Sequence, residues 1–67
     1  MKKLSVSLSG HQTSISLEQE FIAELQHIAR IKNKSIASII SEIDQTRTPN
    51  TNLSSAIRVW ILKTVHK

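Results

Sequence analysis

The stretch TSISLEQEFIAELQHIARIKNKSIASIISEI, residues 13–43, decides the fold of this chain. Its first part, from Thr13 to Leu17, alternates polar and apolar residues, which is the period of a half-buried strand. The remainder carries apolar residues at helical spacing, interrupted by the basic run Arg30-Ile-Lys-Asn-Lys34. The stretch therefore predicts one short strand followed by two amphipathic helices. A strand this short must pair with another strand to be stable.

The two helices are predicted at residues 18–32 and 35–44. In the first, the apolar residues that share one face are Phe21, Leu25, Ile28 and Ala29. Asn33 follows that helix and suits the left-handed conformation in which helices commonly end. Ser35 is expected to be the N-cap of the second helix. Four isoleucines along one side of the second helix are too apolar to face water: Ile36, Ile39, Ile40 and Ile43.

A third helix is predicted at residues 52–65, after a loop that contains the only proline of the chain. Thr51 or Asn52 can cap its start. One face consists of Leu53, Ala56, Ile57, Trp60, Ile61 and Thr64, and the apolar surface extends around it through Val59, Leu62 and Val65. A helix that is apolar over so much of its circumference is buried on more than one side. A chain of 67 residues can hardly supply both covers, so the pattern indicates a partner subunit.

The N-terminal segment, residues 1–11, also shows strand periodicity. Leu4, Val6 and Leu8 alternate with serines, so the apolar positions there are even-numbered. After Gly10 the apolar positions become odd-numbered, and this one-residue slip requires a turn, a bulge or a sharp bend. Two interpretations remain open: a separate strand, or a basic arm that becomes ordered only on binding.

Length and composition predict one domain spanning residues 1–67. The chain has no cysteine, which excludes disulfides and thiolate zinc sites, so oligomerisation is the expected means of stabilising so small a fold. Although 39% of the residues are hydrophobic, no run approaches the roughly 18 apolar residues of a membrane span. Lys2-Lys3 precedes alternating serines rather than the apolar stretch of a secretion signal. A soluble, cytoplasmic protein is expected.

The charge balance favours a polyanionic partner. Nine Lys and Arg against five Asp and Glu give a net charge of +4 and a pI near 10.0. Several of the basic residues gather after the first helix: Arg30, Lys32 and Lys34. The alternative is ordinary pairing of charges with the ends of helices. Arg58 is expected to face solvent, or to pair with Glu42 or Asp44, which are the nearest acidic residues in sequence.

No catalytic or metal site is expected. The three histidines share neither a helical face nor the spacing of metal ligands. No nucleophile, base and orienting group can be nominated together. The carboxylates of Glu42 and Asp44, two residues apart, point in different directions on a helix and form no acid–base pair. The sequence therefore indicates a binding protein without a cofactor, a metal or a small-molecule substrate.

The order strand, helix, Asn-Lys-Ser turn, helix is similar to the ribbon-helix-helix superfamily of Arc/MetJ-type repressors. More narrowly, SGHQTSISLE at residues 9–18 and NLSSAIR at residues 52–58 look like a bacterial subfamily of small ribbon-helix-helix proteins with an extra C-terminal helix. The resemblance covers about residues 5–62. It implies an intertwined homodimer, mostly α with a short N-terminal strand, in which one strand from each subunit pairs antiparallel and the ribbon lies in the DNA major groove.

Under this resemblance the ribbon strand spans residues 12–17. Period-two alternation places Gln12, Ser14 and Ser16 on the face that would contact base edges. The family commonly has arginine or lysine at ribbon positions, whereas no charged residue occurs here between His11 and Glu18. A solvated polar strand face is the alternative interpretation of these three residues.

The start of the second helix is the expected phosphate site. Backbone N–H groups there carry the positive end of the helix dipole. Lys34, Ser35 and Ile36 are therefore the predicted phosphate contacts, with a charge from the lysine and a hydroxyl from the serine. Ser35 is equally explained by its role as an N-cap.

The function expected from the resemblance is that of a sequence-specific DNA-binding repressor or autoregulator, with double-stranded DNA as the partner of a homodimer. The expected dimer core comprises Ile15, Leu17, Phe21, Leu25, Ile36, Ile39, Ile40, Ile43, Ile57, Trp60 and Ile61. One alternative is a protein-interaction module that docks a partner through the third helix. Another is an antitoxin-like component, which is disfavoured because an apolar helix, rather than a long flexible tail, leads up to Lys67.

Overall fold

A computed structural model of the chain describes residues 1–8 and 10–66. Over these residues the chain forms two strands, β1 (Lys2–Leu8) and β2 (His11–Leu17). They are followed by three helices, α1 (Gln19–Lys32), α2 (Ile36–Thr46) and α3 (Leu53–Val65). The predicted fold class, a mostly α ribbon-helix-helix arrangement with an N-terminal strand and a third, C-terminal helix, is confirmed, and the chain has a second N-terminal strand beside the predicted one.

The two strands pair antiparallel as a hairpin, in a register that sets Leu8 opposite His11 and Lys2 opposite Leu17. The connection includes Gly10, whose φ of 82° is readily adopted only by a residue without a side chain. The segment before Gly10 is thus a strand rather than an arm. Each even-numbered residue of β1 lies opposite an odd-numbered residue of β2. This register is the physical reason why the apolar positions change parity along the sequence.

The partner of the ribbon strand β2 therefore comes from the same chain. The resemblance implied a strand from a second subunit, whereas β2 pairs with β1 over its whole length. A connection of two residues brings the strands together at a small cost in loop-closure entropy, and a glycine in that connection favours hairpins. A two-stranded ribbon is therefore formed within one chain.

The inner face of the hairpin packs on the helices, with β1 against α2 and β2 against α3. The buried core consists of Val6, Leu8, Ile15, Leu17, Ile22, Leu25, Ile28, Ala29, Ile39, Ile40, Ile43, Ile57 and Ile61. Eight of the eleven residues expected in a dimer core belong to it, and the other three, Phe21, Ile36 and Trp60, are half-buried against it. A single chain therefore buries most of the residues expected in the dimer core.

In α1 the buried face differs by one position from the predicted face. Ile22 is buried with Leu25, Ile28 and Ala29, whereas Phe21 lies at the edge of the core. Both positions have helical spacing to the rest of the face, so periodicity alone did not distinguish them. Asn33 ends the helix with φ 56°, the left-handed conformation predicted for it.

Side-chain caps fix where α2 and α3 begin. The Ser35 hydroxyl accepts a hydrogen bond from the N–H of Ser38 at 3.0 Å, and the Asn52 side chain accepts one from Ser55 at 2.8 Å. Such caps satisfy N–H groups that have no partner inside the helix, each worth about 1 kcal/mol. α2 continues to Thr46, two residues beyond its predicted end.

The loop between α2 and α3 is shaped by Arg47. Its guanidinium donates two hydrogen bonds to the carboxylate of Asp44 and one to the carbonyl oxygen of Thr51. Because this side chain joins the end of α2 to the residue before the cap of α3, it fixes the turn between the two helices.

One side of α3 remains uncovered by the chain. Val59, Leu62 and Val65, here called the α3 stripe, expose 48%, 48% and 47% of their surface. Ile57 and Ile61 of the same helix are buried. Among the described residues, no helix is both long and apolar enough to cross a membrane.

Candidate nucleic-acid interface

The outer face of the hairpin is a continuous polar surface. Its six residues, here called the polar face, are Lys3, Ser5, Ser7, Gln12, Ser14 and Ser16. Five of them are exposed and Ser16 is half-buried. Each alternates along its strand with an inward-facing residue, and the last two inward-facing residues of each strand are buried: Val6 and Leu8 in β1, and Ile15 and Leu17 in β2. The inward side chains of the same two strands therefore hold the polar face on the core.

Cross-strand register places Lys3 opposite Ser16, Ser5 opposite Ser14 and Ser7 opposite Gln12. The predicted base-contacting residues of β2 do share one face. The contribution of β1 was missed by sequence reasoning, and with it the lysine that β2 lacks. The available signal was the parity switch at Gly10, which fits a turn, a bulge or a bend alike and so did not by itself show that β1 pairs with β2.

The dimensions and chemistry of this surface suit a nucleic-acid groove. Two paired strands lie about 4.8 Å apart, and the major groove of B-DNA, about 12 Å wide, admits a two-stranded ribbon. Glutamine, lysine and serine side chains are the donors and acceptors that read base edges in that groove. The polar face carries no acidic residue that would repel phosphates.

The predicted phosphate site lies at the start of α2, the helix that packs on β1. The first intrahelical hydrogen bond runs from the N–H of Ile39 to the carbonyl oxygen of Ser35. The N–H groups of Ile36 and Ala37 precede that bond, and are among those that a helix start leaves without an intrahelical acceptor. Ser35 is exposed and Ile36 half-buried.

Lys34, at the same helix start, has a partner that was not predicted from the sequence. Its ammonium donates to the Glu42 carboxylate at 2.6 Å, and both side chains are substantially exposed. An approaching phosphate would compete with this carboxylate. Exposed ion pairs contribute little free energy, so such an exchange costs little.

Another ion pair joins the end of the ribbon to α3. The guanidinium of Arg58 donates to both carboxylate oxygens of Glu18, at 2.8 and 3.3 Å, and lies 6.0 Å from the centre of the Phe21 ring. Arg58 was expected to face solvent or to pair with Glu42 or Asp44, and neither is observed: it is half-buried on Glu18, while the other two carboxylates pair with Lys34 and Arg47. The hydrogen bonds from Arg58 lower the pKa of Glu18 below its ordinary value.

Stability is expected to depend on pH through this ion pair. Because the pKa of Glu18 is lowered in the folded protein, its stabilising contribution is fully present above the ordinary pKa of glutamate and is lost as the pH falls through the lowered value. Arg58→Gln should therefore reduce the free energy of unfolding at neutral pH, and the difference from wild type should shrink in acid.

Urea unfolding of the two proteins at a series of pH values measures that difference. Arg58→Lys is the control, since it keeps the charge but not the two-pronged geometry, and should lose less. A difference that stays constant with pH would show instead that Arg58 stabilises the fold through its contact with Phe21.

The histidines lie apart from the polar face: His11 is exposed at the start of β2, His27 on α1, and His66 after α3. Within residues 1–8 and 10–66 there is no group of three or more His, Cys, Asp or Glu side chains arranged to hold a metal ion.

Comparison with known proteins gives one match. A family sequence model described as "Ribbon-helix-helix domain" matches residues 1–65, nearly the whole chain. No curated protein and no solved structure matches the sequence.

Proposed function

Because the chain belongs to the ribbon-helix-helix family, we propose that it is a sequence-specific DNA-binding regulator of transcription, a repressor or autoregulator that acts as a homodimer in the bacterial cytoplasm. The ribbon-helix-helix domain is a DNA-binding regulator fold. The observation that carries the proposal is the polar face: six polar side chains on an exposed two-stranded ribbon whose other face is held in the core.

In the proposed complex the ribbon enters the major groove with the polar face toward the bases. The side-chain amide of Gln12 makes hydrogen bonds with the N6 and N7 atoms of an adenine. The hydroxyls of Ser14 and Ser16 donate hydrogen bonds to neighbouring base edges or accept them. The start of α2 binds a phosphate through Lys34, Ser35 and the N–H of Ile36, and so fixes the position of the ribbon without reading sequence. The net charge of +4 per chain adds attraction for any DNA.

The experiment that tests the proposal is selection of random duplex DNA by the purified protein at near-physiological salt, followed by sequencing. Enrichment of an inverted repeat is the expected result, because the operator of a twofold dimer has matching symmetry. Absence of enrichment from a folded protein would contradict sequence-specific binding.

Gln12→Ala should reduce discrimination between sequences. Loss of a two-pronged contact to adenine costs about 1–3 kcal/mol of discrimination at that base pair. The measurement is competition binding between the selected site and the same site mutated at one base pair. Gln45→Ala, at an exposed position of α2, is the matched control. Unchanged discrimination would show that Gln12 does not contact bases.

Lys34→Ala and Glu42→Gln should have opposite effects on DNA affinity. Removing the lysine deletes a phosphate contact, so all sequences should bind more weakly and the slope of log K against log salt should flatten by about 1. Removing the carboxylate frees the ammonium for a phosphate, so affinity should rise. Salt titrations of the two variants measure both effects. Equal slopes in wild type and Lys34→Ala would exclude this lysine from the phosphate site.

The second candidate function is a protein-interaction module on the same scaffold. The specific observation that favours it is the α3 stripe, which the chain leaves about half exposed. Exposed contiguous apolar surface commonly marks a site for another protein. A second copy of this chain is the occupant expected under the DNA-binding proposal, whereas an unrelated protein is the occupant expected under this one.

A further inference from the structure

The two strands of the ribbon are related in sequence as well as in space. Ser5-Val6-Ser7-Leu8 in β1 matches Ser14-Ile15-Ser16-Leu17 in β2, nine residues later. The observed register places these segments antiparallel, so a twofold axis through the middle of the hairpin superimposes each residue of β1 on the residue nine positions ahead in β2. Burial follows the same relation, since Val6 and Ile15 are both buried, as are Leu8 and Leu17.

The relation continues into the helices behind the ribbon. β1 packs on α2 and β2 packs on α3. Both helices begin with a polar residue whose side chain accepts from the N–H three residues later: Ser35 from Ser38, and Asn52 from Ser55. Five residues after each cap stands an isoleucine with no exposed surface, Ile40 in α2 and Ile57 in α3. Each strand therefore has a helix of its own with the same capping pattern.

We infer that a single chain is a complete DNA-reading unit, whose ribbon has internal twofold pseudo-symmetry and whose Lys3 and Gln12 are symmetry-related specificity residues. This inference rests on the DNA-binding function proposed above and adds how one chain reads its site. The axis of the ribbon is perpendicular to its surface, so it coincides with the local dyad of the DNA when the ribbon lies in the groove. Equivalent side chains then meet equivalent positions on opposite DNA strands.

The pseudo-symmetry is broken at one chemically informative place on the polar face. The twofold axis relates Ser5 to Ser14 and Ser7 to Ser16, which are identical pairs, but relates Lys3 to Gln12. Lysine pairs with the O6 and N7 acceptors of guanine, whereas glutamine pairs with N6 and N7 of adenine. The segment read by one chain should therefore be a short palindrome broken at one pair of positions, with guanine on one strand and adenine at the mirrored position of the other.

Reciprocal substitutions test this inference. In selection from random duplex DNA, Lys3→Gln should restore the palindrome with adenine at both positions, and Gln12→Lys should restore it with guanine at both. Each change of preference should be about 5- to 150-fold, the range expected for one two-pronged contact. Lys2→Gln removes the same charge at the neighbouring exposed residue, whose position in the alternation is inward, and should keep the wild-type preference.

Two outcomes of that selection separate the inference from the function on which it rests. If the wild-type protein enriches a site and both reciprocal variants enrich that same site, Lys3 and Gln12 are not symmetry-related readers and the inference fails while DNA binding stands. If the wild-type protein enriches nothing, the proposed function itself fails.

Disulfide trapping tests whether the ribbon belongs to one chain in solution, without any DNA. Ser5 and Ser14 lie directly opposite each other and are exposed, and paired strand positions have the Cα separation that a disulfide spans. Oxidised Ser5→Cys/Ser14→Cys should run as a single chain in non-reducing denaturing electrophoresis. Ser14→Cys alone should remain uncrosslinked. An interchain disulfide in Ser14→Cys would mean that β2 pairs with β2 of a second copy, which overturns the single-chain ribbon.

Discussion

Ile40→Glu is expected to unfold the protein. Ile40 has no exposed surface and lies in the core between the hairpin and the helices. A glutamate there must bury an uncompensated carboxylate, which costs several kcal/mol, and also loses the burial of the isoleucine side chain, worth about 2–3 kcal/mol. A domain of this size has a total stability of about 3–10 kcal/mol. The substitution therefore removes most or all of it.

Circular dichroism and thermal unfolding of the purified variant measure the loss. Gln45→Glu is the matched control, since it adds the same charge at an exposed position of the same helix and should leave the melting temperature nearly unchanged. A cooperative unfolding transition near the wild-type temperature in Ile40→Glu would show that α2 does not pack as described.

Val59→Ser/Leu62→Ser is expected to weaken dimerisation without unfolding the chain. Burying one valine or leucine completely is worth about 1.5–3 kcal/mol, and these side chains are already about half buried in the single chain. A twofold interface contains each position twice, so the double substitution removes about 3–6 kcal/mol of association free energy. The dissociation constant of the dimer should rise by at least about a hundredfold.

Sedimentation equilibrium over a range of protein concentrations measures that constant. Ala23→Ser/Gln26→Ser, at exposed positions of α1, is the control and should dimerise as the wild type does. A wild-type protein that is monomeric at all concentrations would contradict the homodimer. The α3 stripe would then favour the second candidate function, in which it docks another protein.

Local patterns in the sequence predicted the helices well because the residues that begin or end a helix are adjacent to it in sequence. Ser35 and Asn52 cap the helices they were expected to cap, and Asn33 adopts the expected left-handed conformation. These features depend on neighbours within a few residues, so they can be predicted from the sequence without knowledge of the tertiary structure. The face shared by Gln12, Ser14 and Ser16 was predictable for the same reason, since strand alternation is local.

What the sequence did not determine depends on contacts between distant residues. Whether Phe21 or Ile22 enters the core is decided by how α1 packs, and both fit the helical period. Arg58 pairs with Glu18, forty residues away, because the fold brings the start of α1 beside α3, whereas the carboxylates nearer in sequence pair with Lys34 and Arg47. Lys3 belongs to the candidate site because the hairpin register sets it opposite Ser16. That register could not be predicted without knowing that both strands pack on the same core.

Because the ribbon is a hairpin within one chain, its formation does not depend on protein concentration. Hairpin closure through a two-residue connection is a unimolecular step on the microsecond scale, whereas pairing strands from two chains requires an encounter. A chain too dilute to dimerise would still present its whole polar face, and occupancy of an isolated site would rise with the first power of concentration rather than the second. Association with a second copy would then add avidity on paired sites, set by the effective concentration that the dimer imposes.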